Sequence, residues 1–299
     1  MTENIKIGVI GGDLRQLVAA QEIAAEGCEA AVYGFDEYEG NFGMATKCVN
    51  LADAVRKSDF IILPLPYSLD GIHLNTPNSQ TEIHLDELFN LFEPGQIILA
   101  GKTGGLNIDG VKIIDYYNRE EFIILNALPT AEGAVNIAMQ ELPGMISNSK
   151  ILIMGYGRIG KFLAHKLYGL HAQIYISARR HEDLAWIEAF GYTGLTYAQI
   201  DSHLPEFDVI FNTVPALLLD ESRLARVKKD CVIIDLASNP GGVDFISAKN
   251  LGRNVIWALS LPGKYAPASA GKILSRTVKL IMDEELEKMA KDKFGEDIT

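Results

Sequence analysis

KILIMGYGRIGKFLAHKL (150–167) opens as a continuous apolar run, passes through three glycines and continues with apolar residues at helical spacing. Gly155, Gly157 and Gly160 keep the GxGxxG spacing at the point where strand gives way to helix. In that setting each glycine has a task. The first permits a tight turn, the second lets a pyrophosphate approach the backbone, and the third lets helix and strand pack closely. The helix N-terminus then faces the phosphates. The stretch predicts a Rossmann-type dinucleotide-binding unit, with Tyr156, Arg158 and Ile159 completing the turn.

The next apolar run, QIYISARR (173–180), ends on Ser177, Arg179 and Arg180. About 20 residues beyond the fingerprint, an NAD-binding unit carries an acid that accepts the ribose hydroxyls and repels a 2′-phosphate. Arginine reverses both effects, because its guanidinium fork matches phosphate geometry. NADP(H) is therefore expected over NAD(H), against the plainer possibility of two solvated loop arginines. Ser177 is expected to add a hydroxyl donor and Arg158 a contact from the opposite side. Two more strand ends complete the crevice: Asn212, Thr213, Val214 and Pro215 (NTVP), and the LASNPGG loop (236–242) with Ala237 and Ser238. Thr213 and Ser238 are expected to meet the ribose and the nicotinamide carboxamide.

Outside this stretch, short β-branched runs alternate with amphipathic segments. KIGVIG (6–11), EAAVYG (29–34), DFIILPL (59–65), QIILAG (96–101) and FIILNA (122–127) precede the fingerprint strand. DVIFNTV (208–214), CVIIDLA (231–237) and NVIWAL (254–259) follow QIYISA. Near-continuous apolar strands between helices indicate parallel sheets covered on both faces. The series restarts near residue 150, so the expected fold is α/β: two Rossmann-like, doubly wound domains with a cleft between them. The expected limits are 1–130 for a substrate domain and 145–262 for the NADP-binding domain. Residues 130–144 and 263–270 are read as connectors, and a helix over 268–290 is expected to rejoin the first domain.

The first unit opens differently. In KIGVIGGDLRQLVAA (6–20), Gly11 matches the first fingerprint glycine, but Asp13 and Gln16 stand at the second and third. A carboxylate there repels pyrophosphate, so this domain is expected to lack the cofactor. Farther on, GKTGG (101–105) fails as a Walker loop, because Gln96 stands where its first glycine belongs. A glycine-rich turn after a strand can still hold a small anion through Lys102, Thr103, Gly104 and Gly105.

Composition narrows the function classes. A net charge of −12 over 299 residues, with no basic patch, argues against a nucleic-acid partner. No apolar run in the sequence suggests a membrane span of about 18–20 residues, and the first residues lack the basic-then-apolar pattern of a signal peptide. Cys28, Cys48 and Cys231 are widely spaced and fit a reducing cytoplasm, as inert buried thiols. No metal is expected, since the six histidines show no HExxH and no zinc-ligand spacing with cysteine.

Taken together, GGDLRQ (11–16), LPTAEGAVNIAMQ (128–140), GYGRIG (155–160), DLASNPGGVDF (235–245) and LPGKYAPASAGKIL (261–274) resemble the dipicolinate synthase A-subunit family. Its members are dehydrogenase subunits of spore-forming bacteria, and the likeness runs over essentially the whole chain. It implies oxidation of 4-hydroxy-tetrahydrodipicolinate, or its dehydrated form, to pyridine-2,6-dicarboxylate during sporulation. It also implies a partner, the flavoprotein-like B-subunit of dipicolinate synthase, and a homo-oligomer is expected. The substrate would be a dianion, for which Lys102 with Thr103–Gly105, Thr130 and Lys264 are the candidate contacts. Glu132 and Asp70 are candidates for taking up a proton. No catalytic residue carries over. The competing expectations are a two-domain dehydrogenase of a hydroxy acid or a folate, and a non-catalytic NADP(H)-binding protein.

Overall fold

The computed structural model describes residues 5–294, with side chains to residue 292. The chain divides into two compact units, one of Met1–Leu125 with Pro267–Thr299 and one of Asn126–Ala266. In the first, the chain runs β1 (Lys6–Ile10), α1 (Leu14–Ala25), β2 (Glu29–Tyr33), β3 (Thr46–Lys47), α2 (Leu51–Arg56), β4 (Phe60–Ile62), α3 (Leu85–Phe89), β5 (Ile97–Ala100) and β6 (Lys112–Asp115). Helix α4 (Glu120–Glu141) spans the division between the units. The second unit continues with β7 (Lys150–Met154), α5 (Arg158–Gly169), β8 (Gln173–Ser177), α6 (His181–Ala189), β9 (Thr193–Leu195) and α7 (Ile200–His203). Then come β10 (Val209–Asn212), α8 (Glu221–Arg226), β11 (Val232–Asp235), α9 (Phe245–Asn250), β12 (Asn254–Trp257) and α10 (Leu261–Tyr265). The chain returns to the first unit as α11 (Pro267–Phe294).

Each unit holds one six-stranded sheet, in the orders β3-β2-β1-β4-β5-β6 and β12-β11-β10-β7-β8-β9, and every strand pairing is parallel. Both are the doubly wound order, in which the strand sequence reverses beside the first strand and opens a crevice there. The central strands β4, β5, β10 and β11 are buried at every residue. This is why they read as unbroken apolar runs rather than alternating ones. Apolar clusters line both faces of each sheet.

Three expectations need correction. FIILNA (122–127) is not a strand; it is the start of α4. A short β-branched run cannot be told from a buried helix by pattern alone. The longer pattern decides it, since Ala127, Ala131, Ala134, Val135 and Ala138 are buried at helical spacing. Residues 130–144 are therefore mostly helix, and 263–270 contain most of α10 and the start of α11. By length and composition α4 is also apolar enough to span a membrane, which the sequence pattern did not suggest, but half of that window is buried within the protein. Strands β3, β6 and β9 had no apolar signature and went unforeseen.

Helix α11 packs along α1. Gly271 lies so close to Val18 that an added Cβ would stand 2.5 Å from the Val18 Cβ. Leu274, Val278, Ile281 and Met282 join the same core cluster as Leu17 and Ala20. Lys279 pairs with Glu26, Arg119 with Glu284, and Lys112 with the buried Glu285.

Candidate functional site

At the sheet reversal of the second unit, the ends of β7, β8 and β10 surround a crevice of about 290 Å³. Its floor is the glycine turn, and the three glycines differ in what surrounds them. A Cβ on Gly155, whose φ is +101°, would lie 2.5 Å from Thr213 Oγ1 and 2.8 Å from Val214 Cγ2. A Cβ on Gly160 would overlap the Gly155 carbonyl oxygen, which is the close helix–strand approach. A Cβ on Gly157 would meet nothing within 4 Å. Gly157 is also the N-cap of α5 and supplies no side-chain cap, so the first-turn N–H groups of this helix face open space. An open approach to uncapped amides is what a pyrophosphate requires, and the residues fit a dinucleotide.

The crevice walls are Ala178, Arg179, Tyr197, Val214 and Pro215, with Tyr156 beside the turn. Arg179 lies in it and forms no ion pair among the described residues. Arg180 behaves differently. Its Nε and Nη2 each donate to Asp183 at 2.8 Å, and it also pairs with Glu182. That fork is turned onto the first turn of α6, so of the two arginines only Arg179 remains uncommitted. Ser177 also departs from expectation: it is fully buried, and its hydroxyl finds no partner among the described residues. Arg158 and Ile159 occupy the first turn of α5, where Arg158 is exposed.

Asn212 and Thr213 hold the far wall rather than reach into the crevice. Thr213 Oγ1 donates to the Met154 carbonyl at 2.9 Å, stitching β10 to β7. Asn212 Nδ2 donates to Asp235 Oδ1 at 2.8 Å and to the Val214 carbonyl at 3.0 Å. Asp235 is fully buried and also accepts from the amides of Ala237 at 3.1 Å and Gly242 at 2.7 Å. It therefore fixes both ends of the loop that carries the exposed Ser238. The Ala237 carbonyl in turn accepts from Trp257 Nε1 at 2.9 Å. Sequence reasoning missed Asp235 as an organising residue, although an acid closing an apolar strand just before a turn is a visible signal.

The first unit has the same topology, and its own groups occupy the corresponding place. Asp13 caps α1, accepting from the Arg15 amide at 2.9 Å, and Gln16 returns the bond to the Asp13 amide at 3.1 Å. Arg15, 7% exposed, grips the Asp13 carboxylate through Nε and Nη2, both at 2.8 Å. The Gly12 amide donates to the Asn75 carbonyl at 2.9 Å, and Thr76 packs against Gly11. An internal carboxylate and the 75–78 segment thus stand where phosphates would lie.

The other candidates are scattered. In the 101–105 turn, the amides of Lys102 and Thr103 donate to Asp115 at 3.1 and 2.8 Å. These donors are already engaged, which leaves the Lys102 ammonium, 5.1 Å over the Tyr117 ring, and the amides of Gly104 and Gly105. Thr130 lies within α4 and donates to the Asn126 carbonyl at 2.8 Å. Glu132 pairs with Lys166 at 2.7 Å, and Lys264 is exposed on α10. Asp70 accepts from His73 Nδ1 at 2.7 Å; amide and imidazole donors from His73 pull its pKa down, while the carboxylate raises that of His73.

The family model for the N-terminal domain of the dipicolinate synthase A-subunit matches residues 6–105. The dipicolinate synthase A-subunit of Bacillus subtilis (strain 168) is 29% identical over 290 residues, covering 95% of this chain and 98% of its own. The chain belongs to the dipicolinate synthase A-subunit family. The crystal structure of the family member from Bacillus halodurans superposes with a TM-score of 0.82 at 27% identity, covering 94% of this chain and 98% of that one. Residues 130–240 match the NAD-binding domain of D-isomer specific 2-hydroxyacid dehydrogenases. A shikimate dehydrogenase (NADP(+)) of Staphylococcus epidermidis is 25% identical over 183 residues, 58% of this chain and 60% of its own. This member of the dipicolinate synthase A-subunit family is thus a dehydrogenase with an NAD(P)-binding domain in its second unit.

Proposed function

We propose that this chain is an NADP(H)-dependent dehydrogenase that oxidises 4-hydroxy-tetrahydrodipicolinate, or its dehydrated form, to pyridine-2,6-dicarboxylate in the cytoplasm of a sporulating cell. Family membership supports the reaction. The cofactor choice is carried by Arg179, an uncommitted guanidinium beyond β8 where an NAD-binding unit would carry an acid. NADP+, when bound, would supply the hydride acceptor. The dihydro ring would give up one hydride and one proton; the 4-hydroxy form would first lose water. The ring becomes aromatic in either case, so the protein's task is orientation and charge neutralisation.

The residues divide that task. The amides at the start of α5 and Arg179 would hold the phosphates, while Asp235 and Asn212 keep the nicotinamide-side loops in register. Lys102, Thr130 and Lys264 remain the candidates for the substrate carboxylates, and Glu132 or Asp70 for the released proton. Partnership with the B-subunit of dipicolinate synthase and self-association belong to the same reading.

The test is an absorbance assay for NADPH. The purified chain, alone and with the B-subunit, is given NADP+ or NAD+ and the aldol product of pyruvate and aspartate semialdehyde. NADPH formation with pyridine-2,6-dicarboxylate as product is expected. Turnover of 2-hydroxy acids instead, or a preference for NAD+, would refute the proposal.

A further inference from the structure

Elsewhere in the second unit, away from the roles assigned so far, α5 and α6 border a hollow of about 380 Å³. Ligand pockets typically have volumes of roughly 300–1,000 Å³. One wall is aromatic. Trp186 and Phe190, one turn apart on α6, stack at 5.8 Å with planes 23° apart, and Phe190 and Tyr192 at 6.4 Å and 30°. Trp186 is 60% and Phe190 57% exposed, an unusual amount of flat apolar surface to leave in water. The opposite wall is polar. Lys161 and His165 lie one turn apart on α5, and neither makes an ion pair among the described residues. Neighbouring charges are already matched: Lys166 holds Glu132, and Arg180 grips Asp183.

We propose that this hollow binds a planar aromatic carboxylate, with its ring against Trp186 and Phe190 and its carboxylate toward Lys161 and His165. The rings supply a stacking face, and the ammonium and imidazole supply donors for an anion. A neutral apolar ligand would leave Lys161 unanswered; a flexible acid would leave the rings uncovered. Lys161 already sits 5.4 Å over the Tyr156 ring, and so is poised at the hollow rather than extended into solvent. The product proposed above is a compound of this class. To that extent the inference rests on the proposed function, but the test measures binding without turnover, so either can fail alone.

The protein has two tryptophans, so Trp257→Phe leaves Trp186 as the sole reporter. Pyridine-2,6-dicarboxylate is titrated into this full-length variant while tryptophan emission is followed, with calorimetry on the unmodified chain. Saturable quenching is expected, unchanged by Arg179→Ala and absent with glutarate, a flexible dicarboxylate. Lys161→Ala should weaken binding ~10-fold or more, the loss of one charge-assisted contact. Should that variant melt at a lower temperature, Lys161→Gln is read in its place. Four outcomes would overturn the site: no saturation, an equal response to glutarate, indifference to the Lys161 change, or competitive displacement by NADP+. Concentration-dependent sedimentation abolished by Trp186→Ala, without saturation by the probe, would instead give the face to a second copy of the chain.

Discussion

Asn212 Nδ2 lies 2.8 Å from Asp235 Oδ1, and both residues are fully buried at the ends of adjacent strands β10 and β11. The carboxylate is satisfied entirely by N–H groups: this amide and the backbone of Ala237 and Gly242. Removing it with Asp235→Ala strands three buried donors, which should cost about 2–4 kcal/mol of stability. The loops after both strands should loosen together, so dinucleotide affinity falls as well. Urea titration and calorimetry on the variant check this, and a loss of stability without a loss of affinity would separate the pair from the site.

Arg179 and Arg180 are neighbours with unequal commitments. Arg179→Ala should weaken NADP(H) by about 1.5–3 kcal/mol, the value of a charge-assisted contact, and leave NAD(H) nearly unchanged. Arg180→Ala should have the smaller effect on NADP(H), because its fork is already on Asp183. Dissociation constants for both cofactors and both variants decide the matter. Equal losses for NADP(H) and NAD(H) in Arg179→Ala would remove the basis for the cofactor assignment.

The fingerprint glycines should fail in different ways. At Gly157 an added methyl meets only open space, so Gly157→Ala should melt like the parent and bind dinucleotide poorly. At Gly160 the methyl collides with the Gly155 carbonyl, so Gly160→Ala should lower the melting temperature as well. Thermal melts alongside cofactor titrations separate the two.

Acid should loosen the first unit through α11. Burial pushes the Glu285 carboxyl up, but Lys112 and Lys288 outweigh it and hold its pKa below the ordinary 4.5. Arg119 lowers Glu284 likewise. A carboxylate lowered in the folded state stabilises above its unfolded pKa, and that contribution disappears as pH falls through the folded value. The melting temperature should therefore drop below about pH 4.5, and Glu285→Gln should melt lower at neutral pH with a flatter acid limb. Parallel acid limbs for parent and variant would place the acid sensitivity elsewhere.

The sheets were legible because a strand buried on both faces leaves an unbroken apolar run, as β4, β5, β10 and β11 do. β3 has only two residues, both exposed, and β9 contains a glycine, so neither leaves that trace. The glycine turn was legible because each glycine answers a separate steric demand. What escaped depends on partners that sequence does not bring together. Asp115, distant along the chain from Lys102 and Thr103, engages their amides. The capture of Arg180 by Asp183 was closer to hand, since a basic residue three positions before an acid at a helix start invites that pairing.

The first unit cannot be completed until the last of its elements exists. Its core cluster includes Leu274, Val278, Ile281 and Met282 of α11, while the second unit is a single uninterrupted segment, Asn126–Ala266. On a ribosome, domains made first ordinarily close first. Here that order is reversed: the cofactor-binding unit has all its residues while the earlier-made unit still waits, its α1 face uncovered, for a helix not yet translated. Nascent chains arrested shortly after Ala266 should thus bind dinucleotide while their N-terminal segment remains open to protease.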